Sequence, residues 1–374
     1  MDTAHFDALT RVFGSASRRR LFGALTLAPL LGLMAGAGDD DDAEAGRRRR
    51  RKRRHKRRKN PGNRKGGGCT PKSRSVICSR FCGTVKNRQT CGKTVVCGPD
   101  CLTGQTCQNG VCGVACGSAF CPAGSEICAD GVCRACTVTC SAADHVCDGA
   151  ALQTALAGGG EVYVCPGRYT GLFVVPGSAT LSIFGAGMGA DPATATILDA
   201  QLAGETFVVE QYAQATITDL RLTGSGGRGN PGLLVGEDTT TAVVRCAVVD
   251  NGTSQFSSGG IIARGDVTID DSLISGNRST FGAGISISSS ATALLRGTTI
   301  RGNTAGGGGG IRISSGTVTL ADGCLVTGNV ATTDQSGGIA AADTATVIIS
   351  ADSSVVGNEP DNCVIEGPLT GTCG

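Results

Sequence analysis

In the C-terminal half of the chain, short apolar runs alternate with polar turns at a fixed interval. Asn251, Asn277, Asn303 and Asn329 follow one another every 26 residues, and Asn358 comes 29 residues later. Each closes a short β-rich run, as in Leu273-Ile-Ser-Gly-Asn277, Thr299-Ile-Arg-Gly-Asn303 and Leu325-Val-Thr-Gly-Asn329. After the first four comes a Gly-rich stretch and then Gly plus Ile, at Gly260-Ile261, Gly284-Ile285, Gly310-Ile311 and Gly338-Ile339. A period of this length marks stacked units, because one such unit cannot bury its apolar face alone. Within one period the runs 267–269, 272–274 and 285–287 are too short for helices and rich in β-branched residues. Asp, Asn, Gly and Ser separate them. Three short strands per repeat, stacked copy on copy, predict an all-β right-handed single-stranded parallel β-helix with coils ~4.8 Å apart.

The same pattern suggests roles for its fixed positions. Asn tolerates left-handed backbone at a tight turn, and stacked copies can pair amide to amide from coil to coil. The Gly of each Gly-Ile pair is expected to bend the chain and the Ile to return it to the core. Leu222-Thr-Gly-Ser225 holds the equivalent place with Ser for Asn, so a weaker coil precedes the first Asn. The stretches 253–258, 280–282, 305–309 and 332–336, all rich in Gly, Ser, Thr or Ala, are expected to stack as a polar ridge, lengthened by 224–231. Such a ridge suits weak multivalent contact with a surface, or is plain solvent-facing turn. Ahead of the repeats, residues 150–157 carry Ala and Leu at helical spacing and can cap the open end of the stack.

That short helix is followed by Gly160-Glu-Val-Tyr-Val-Cys-Pro-Gly-Arg-Tyr169. A helix, a Gly turn, a Val-Tyr-Val strand and Pro-Gly-x-Tyr resemble the opening of pectate-lyase-like β-helix proteins. The Asn-then-Gly-Gly-Ile repeats resemble those of polymorphic outer-membrane proteins, although nothing after Gly374 provides the membrane barrel those proteins carry. The resemblance covers roughly residues 148–374. It implies the fold; activity does not follow from fold alone.

Composition changes sharply toward the N-terminus. Ser17-Arg18-Arg19-Arg20-Leu21-Phe22 precedes an apolar run to Met34, with small-residue cleavage candidates at Ala35-Gly-Ala37 and Ala43-Glu-Ala45. Residues 1–45 therefore read as a bacterial export signal of the twin-arginine type, with Arg18 and Arg19 as its motif. The run is short and broken by Gly23, Pro29 and Gly32, which argues against a membrane span. No lipobox cysteine follows, which argues against a lipid anchor. Residues 46–68 form a disordered polybasic linker, in which 47–59 hold twelve Lys or Arg in thirteen positions, His55 being the exception. Behind an export signal, the expected partner is anionic envelope polymer or a membrane surface, with no nucleic acid in that compartment. Residues 148–374 carry nine Arg, no Lys and twenty Asp or Glu, a net charge near −11 (nine minus twenty). A basic tail on an acidic body can orient itself on an anionic surface. The chain is expected outside the cell or on its surface, as a monomer.

Fifteen of the twenty cysteines fall in residues 69–147. There Cys97-x3-Cys101-x5-Cys107-x4-Cys112 is followed by Cys116-x4-Cys121-x6-Cys128-x4-Cys133, a repeated Cys-x-x-Gly-x-x-Cys-x-x-Gly-x-Cys core with one insertion. It resembles small disulfide modules of the EGF or knottin kind, and hydrophobic residues are too sparse there for a core without crosslinks. The tightest metal-like spacing is Cys133-x2-Cys136, with His145 the sole nearby His, so no metal or cofactor is assigned. Cys147 and Cys165 are disulfide candidates, Cys165 making sixteen with the fifteen of the module and stapling it to the solenoid. Cys363 and Cys373 close a short C-terminal loop. Cys246 and Cys324 each stand five residues before a ladder Asn, in the column of Ser272, Thr298 and Ser353. Three coils, ~14 Å, separate them, and a disulfide needs Cα atoms within ~7 Å. Both are expected as free, buried thiols.

Catalytic chemistry is sparse in the repeats. Pectate-lyase-like lyases use calcium held by carboxylates with a Lys or Arg base; the solenoid has no Lys, and its nine Arg are not expected in one column. Related hydrolases use several Asp with a His, and no His follows His145. The adjacent acids Asp270 and Asp271 are the only catalytic candidates, set against a simple turn between two β-runs. There is no Trp, and Tyr163, Tyr169 and Tyr212 all lie in the early coils, which disfavours a sugar-stacking groove along the later ones. Asn251-Gly-Thr and Asn277-Arg-Ser match glycosylation acceptors but belong to the ladder. The favoured reading is a secreted or cell-surface β-helix with a structural or adhesive role, tethered through 47–59, with the enzyme question left open and leaning against one. The alternative is a carbohydrate-active lyase or hydrolase for acidic polysaccharide. A third is a polyanion- or metal-binding secreted module centred on the Cys region.

Overall fold

Alternation of apolar and polar residues along five-residue strands puts one face of each strand inward and one outward. In the computed structural model, these strands stack as a right-handed solenoid of about eight turns. Residues 71–374 are described, apart from 73–76, 78–80, 83, 87, 98–100, 102–104, 110, 228, 253–258 and 334–335. Three parallel sheets run the length of the stack. The first has nine strands, from Gly160–Tyr163 to Leu369–Thr370. The second has nine, from Val146–Asp148 to Ser354–Val356. The third has eight, from Phe173–Val175 to Cys363–Ile365.

Register carries the inward residues into continuous columns. In the first sheet Ile183, Ile217, Val243, Ile269, Leu295, Leu320 and Ile349 align coil on coil. In the third, Phe173, Phe207, Leu233, Ile261, Ile285, Ile311 and Ile339 do the same, all with no measurable exposure. The Ile of each Gly-Ile pair therefore re-enters the core. Each fully buried aliphatic side chain contributes roughly 1.5–3 kcal/mol.

Two corners recur along the stack, and in several coils each uses one left-handed residue. Asp219, Arg245, Asp271 and Gly297 (φ 48° to 55°) turn the chain from the first sheet to the second. Gly224, Asp250, Gly276, Gly302, Gly328 and Gly357 (φ 55° to 74°) turn it out of the second. Ser225 or a ladder Asn follows each of this second set. The left-handed residue is thus the one before the Asn, not the Asn itself as its turn propensity suggested. Gly takes positive φ without steric cost, and the Asn is left free to point its amide inward.

The five Asn form a closed hydrogen-bond column. The Oδ1 of Asn303 accepts from the backbone N–H (3.0 Å) and the Nδ2 (3.0 Å) of Asn277. The Nδ2 of Asn303 in turn donates to Asn329 Oδ1 (2.8 Å) and to the Ile274 carbonyl (3.1 Å). The pattern starts at the Ser225 N–H and repeats through Asn251, Asn277, Asn303, Asn329 and Asn358. It ends on Asn362, which accepts from the N–H and Nδ2 of Asn358. The preceding glycines complete it. A Cβ on Gly310 would lie 2.7 Å from the Gly338 oxygen and 3.0 Å from Asn329 Nδ2. Gly232, Gly260, Gly284 and Gly338 face Asn251, Asn277, Asn303 and Asn358 in the same way. None of these five glycines has positive φ. They serve close approach to the Asn amide rather than bending, which corrects the role expected from the sequence.

The stretches after Asn277, Asn303 and Asn329 are not merely ridge turns. Arg278–Phe281, Thr304–Gly307 and Val330–Ala331 pair as a fourth, three-stranded parallel sheet. Regular backbone pairing satisfies their polar groups more fully than stacked loops would. The stretch 253–258 lies outside the described residues. At the N-terminal end, helix α1 (Ala150–Ala157) buries Leu152 and Leu156 over the first coil. Gln153 of α1 accepts from the N–H of Val174 (2.7 Å) and donates to its carbonyl (3.1 Å). The side-chain amide thus stands in for the missing neighbour of an edge strand.

Asn303→Ala removes the acceptor shared by the backbone N–H and the Nδ2 of Asn277 and leaves that N–H buried without a partner, so we expect a loss of about 2–4 kcal/mol in denaturant unfolding. Asn358→Ala, next to the end of the column and 7% exposed, should cost clearly less. Equal losses would contradict a ladder in which interior rungs are the more isolated from water.

Candidate functional site

Among the described residues, four ion pairs on the outside of the solenoid bind charged side chains to each other across coils. Asp270 ends the strand Asp266–Asp270 and receives the Arg296 guanidinium through Nε (2.9 Å) and Nη2 (3.2 Å). Asp271 is the left-handed corner residue (φ 48°). The adjacent acids are therefore divided between an ion pair and a turn, and form no carboxylate pair. Two coils earlier Arg245 makes the same two-point contact with Asp219, at 2.9 and 2.7 Å. That hydrogen bond is the main reason the Arg245 guanidinium holds its proton more firmly than usual.

A second group lies on the outside of the second sheet. Arg168 and Arg221 occupy one column two coils apart. Arg168 binds Asp199 (2.5 Å) and Arg221 binds Asp250 (3.2 Å). Desolvation lowers the pKa of Arg221, while Asp250 works in the opposite direction. Sequence spacing did not show these partners, because Asp199 and Asp250 sit at the ends of neighbouring coils, 31 and 29 residues from their Arg. All four ion pairs join one coil to the next, which is a fastening role.

The cysteine-rich region packs against the first coils. Its strands Thr106–Gln108, Val111–Cys116 and Ala119–Pro122 form an antiparallel sheet, and Glu126–Ala129 pairs with Val132–Ala135 as a hairpin. Disulfides join Cys82 to Cys107, Cys101 to Cys112, Cys116 to Cys128, Cys121 to Cys133, and Cys140 to Cys147. Cys136–Cys165 links this region to the first coil, and Cys363–Cys373 lies in the last. Cys91 and Cys97 are also disulfide-bonded. Seven pairs with both partners described are compatible with an oxidising compartment. Ile127 and Ala129 pack on Phe184. Tyr163 stacks on Phe184 at 5.2 Å, and Arg134 lies over its ring at 5.9 Å.

Where the two regions meet there is a cavity of about 210 Å³ lined by Gln105, Glu126, Ile127, Pro166, Thr194 and Asp219, among others. The Gln105 Oε1 is buried there without a protein partner. The space is enough for water or a small polar molecule, and Asp219 is already held by Arg245.

Arg18, Arg19 and the basic run 47–59 lie outside the described residues. Among those described, no helix is long and apolar enough to cross a membrane. Residues 206–368 match the family model described as right handed beta helix region. That stretch opens at the strand Phe207–Val209 and leaves out the cysteine-rich region. No curated protein and no solved structure matches the chain.

Cys246 and Cys324 are free and buried. Burial pushes the Cys246 thiol from its usual 9.0 to about 12 and raises that of Cys324. The folded chain therefore keeps the Cys246 proton where the unfolded chain releases it, so this contribution to stability is present below pH 9 and lost between 9 and about 12. Neither thiol should react with iodoacetamide at pH 8 until denaturant is added, and Cys246→Ala should flatten the alkaline loss of stability. Rapid labelling of either thiol in the native protein would contradict their placement.

Proposed function

We propose that the chain is an exported surface protein whose β-helix is displayed outward from a polybasic tether. The observation that carries this reading is the division of charge. Twelve basic residues crowd 47–59, and the following solenoid carries no Lys and a net charge near −11. On an anionic envelope polymer or lipid surface, the first is attracted and the second repelled. The cross-coil ion pairs favour the same reading. Asp270 and Arg296, the nearest thing to an acid and base on the later coils, neutralise each other rather than facing a groove. The cysteine-rich region, crosslinked within itself and to the first coil, then acts as a stiff stem between tether and display. In this reading the outward face contacts polysaccharide.

The test is binding of the mature chain to purified bacterial envelopes, beside a variant lacking 47–59. We expect retention to fall at least tenfold between about 50 and 300 mM salt, as release of condensed counterions requires, and to disappear with the deletion. Binding that survives the deletion would overturn the tether. An acidic-polysaccharide cleavage assay on the same samples separates the enzyme reading: chain scission that depends on Asp270 or Arg296 would replace the display role.

A further inference from the structure

The third sheet turns an apolar face outward over its first four coils. In the strands Phe173–Val175, Phe207–Val209, Leu233–Val235 and Ile261–Ala263 the two flanking residues are buried and the middle one is half-buried on the outside. Those middle residues are Val174, Val208, Leu234 and Ile262, aligned in one column. The matching outward positions of the first sheet hold Ser182, Thr216, Ala242 and Thr268, as a face open to water requires. Exposed Leu172 widens the apolar face at its first coil. Beyond the fourth coil the column turns polar, with Ser286 and then Arg312. Charge lies along one edge of this face. Glu210, Gly236 and Arg264 directly follow the aligned residues Val209, Val235 and Ala263. Successive coils thus carry an acid, a position without a side chain, and a base. Glu210 and Arg264 are exposed, and neither belongs to the four ion pairs of the described residues. Two coils, ~9.6 Å, keep them from each other.

We propose that this face binds a second copy of the chain, antiparallel to the first, about a two-fold axis that runs along the strand through Leu234. A two-fold contact is self-complementary: what one copy presents, the other receives. On this axis Leu234 meets its own counterpart, and Val208 meets Ile262 of the partner subunit. Glu210 meets Arg264 of the partner subunit, and Arg264 meets the partner's Glu210, so two ion pairs form together. The acid and base that one chain holds too far apart for each other are spaced correctly for a second chain. Parallel pairing, about an axis along the stack, sets Glu210 against Thr206 and Arg264 against Gly260, and leaves both charges without a partner. Charge therefore selects the antiparallel arrangement. Two sheets packed face to face stand ~10 Å apart, a gap that the Val, Leu and Ile side chains fill. The face is small, about 15–20 Å along the stack at ~4.8 Å per coil, and it falls well below the ~800 Å2 per partner of a standard interface. Pairing is therefore weak in dilute solution and favoured where copies are concentrated. The α1 ends of a pair point in opposite directions. On the tether proposed above, which the pairing itself does not require, such pairs join two facing surfaces rather than neighbours on one.

The test is sedimentation velocity of the full chain between about 10 and 500 μM, the range in which so small an interface associates, at one fixed salt concentration. The variants are Glu210→Arg, Arg264→Glu, the two together, and Leu234→Glu. Thermal melting shows that each has folded before its pairing is read. We expect the wild type to pass from monomer to dimer across this range. Each single charge reversal sets like charges against each other twice and should weaken pairing by at least about tenfold, and Leu234→Glu should do the same. The double reversal should restore the wild-type dimer. An equal mixture of the two single variants should form a mixed dimer, although neither variant pairs with itself. The chain lacking 47–59 should pair as the full chain does, which separates this contact from attraction between the basic run and the acidic solenoid. A wild type that stays monomeric throughout would overturn the proposal. So would a dimer that a single reversal leaves unchanged or that the double reversal fails to restore. Pairing that vanishes with 47–59 would overturn it too, whatever the envelope-binding assay shows of the tether.

Discussion

Everything in the solenoid depends on keeping polar atoms satisfied inside a column of stacked coils. A parallel coil that turns twice through left-handed corners must bring main-chain N–H and C=O groups into a dry interior, where each one left unpaired costs about 1–3 kcal/mol. The Asn column meets this with one residue per coil. Its amide accepts twice from the coil before and donates both to the coil after and to a core carbonyl. The neighbouring glycines exist because the amide occupies the space a Cβ would need. A parallel, smaller device runs down the other corner. Ser272 Oγ accepts from the Cys246 N–H at 3.0 Å, and Ser353 Oγ accepts from the Cys324 N–H at 3.1 Å.

These constraints explain how the ends are treated. Interior coils find partners above and below, whereas the first coil has an exposed edge. Helix α1 supplies both an apolar lid, through Leu152 and Leu156, and a polar one, through Gln153. At the far end the ladder closes on Asn362, and the Cys363–Cys373 crosslink lies in the same coil. Outside, the cross-coil ion pairs fasten neighbours without entering the core. Being partly exposed, such pairs are individually weak, so the hydrogen-bond columns and the aliphatic stacks hold the fold.

Much of this was legible in the sequence, and the reason is periodicity. A 26-residue interval of Asn fixes the coil length and the column of Asn. It also separates Cys246 from Cys324 by too many coils for a crosslink. The pattern did not reveal which backbone atom each Gly or Asn serves. A Gly beside a turn and a Gly beside a bulky amide look alike in one dimension, so the role of Gly310 became clear only from what its absent Cβ would meet. Asn362 was invisible because it breaks the interval. The fourth sheet was hidden because Gly-rich segments carry little β-propensity of their own. Asp270 and Asp271 looked like a pair because they are adjacent; the corner at Asp271 sends them apart.

The coils of the solenoid are locked to one another through buried amides. Native-state hydrogen exchange, resolved to single amides, tests this most directly. The backbone N–H groups of Asn277, Asn303 and Asn329 donate to buried side-chain oxygens. They should exchange as slowly as the N–H groups at the centres of the sheet strands, and only through global opening. Exchange at rates typical of the exposed corner at Ser289 would mean that the column opens locally, and that it does not hold the coils together.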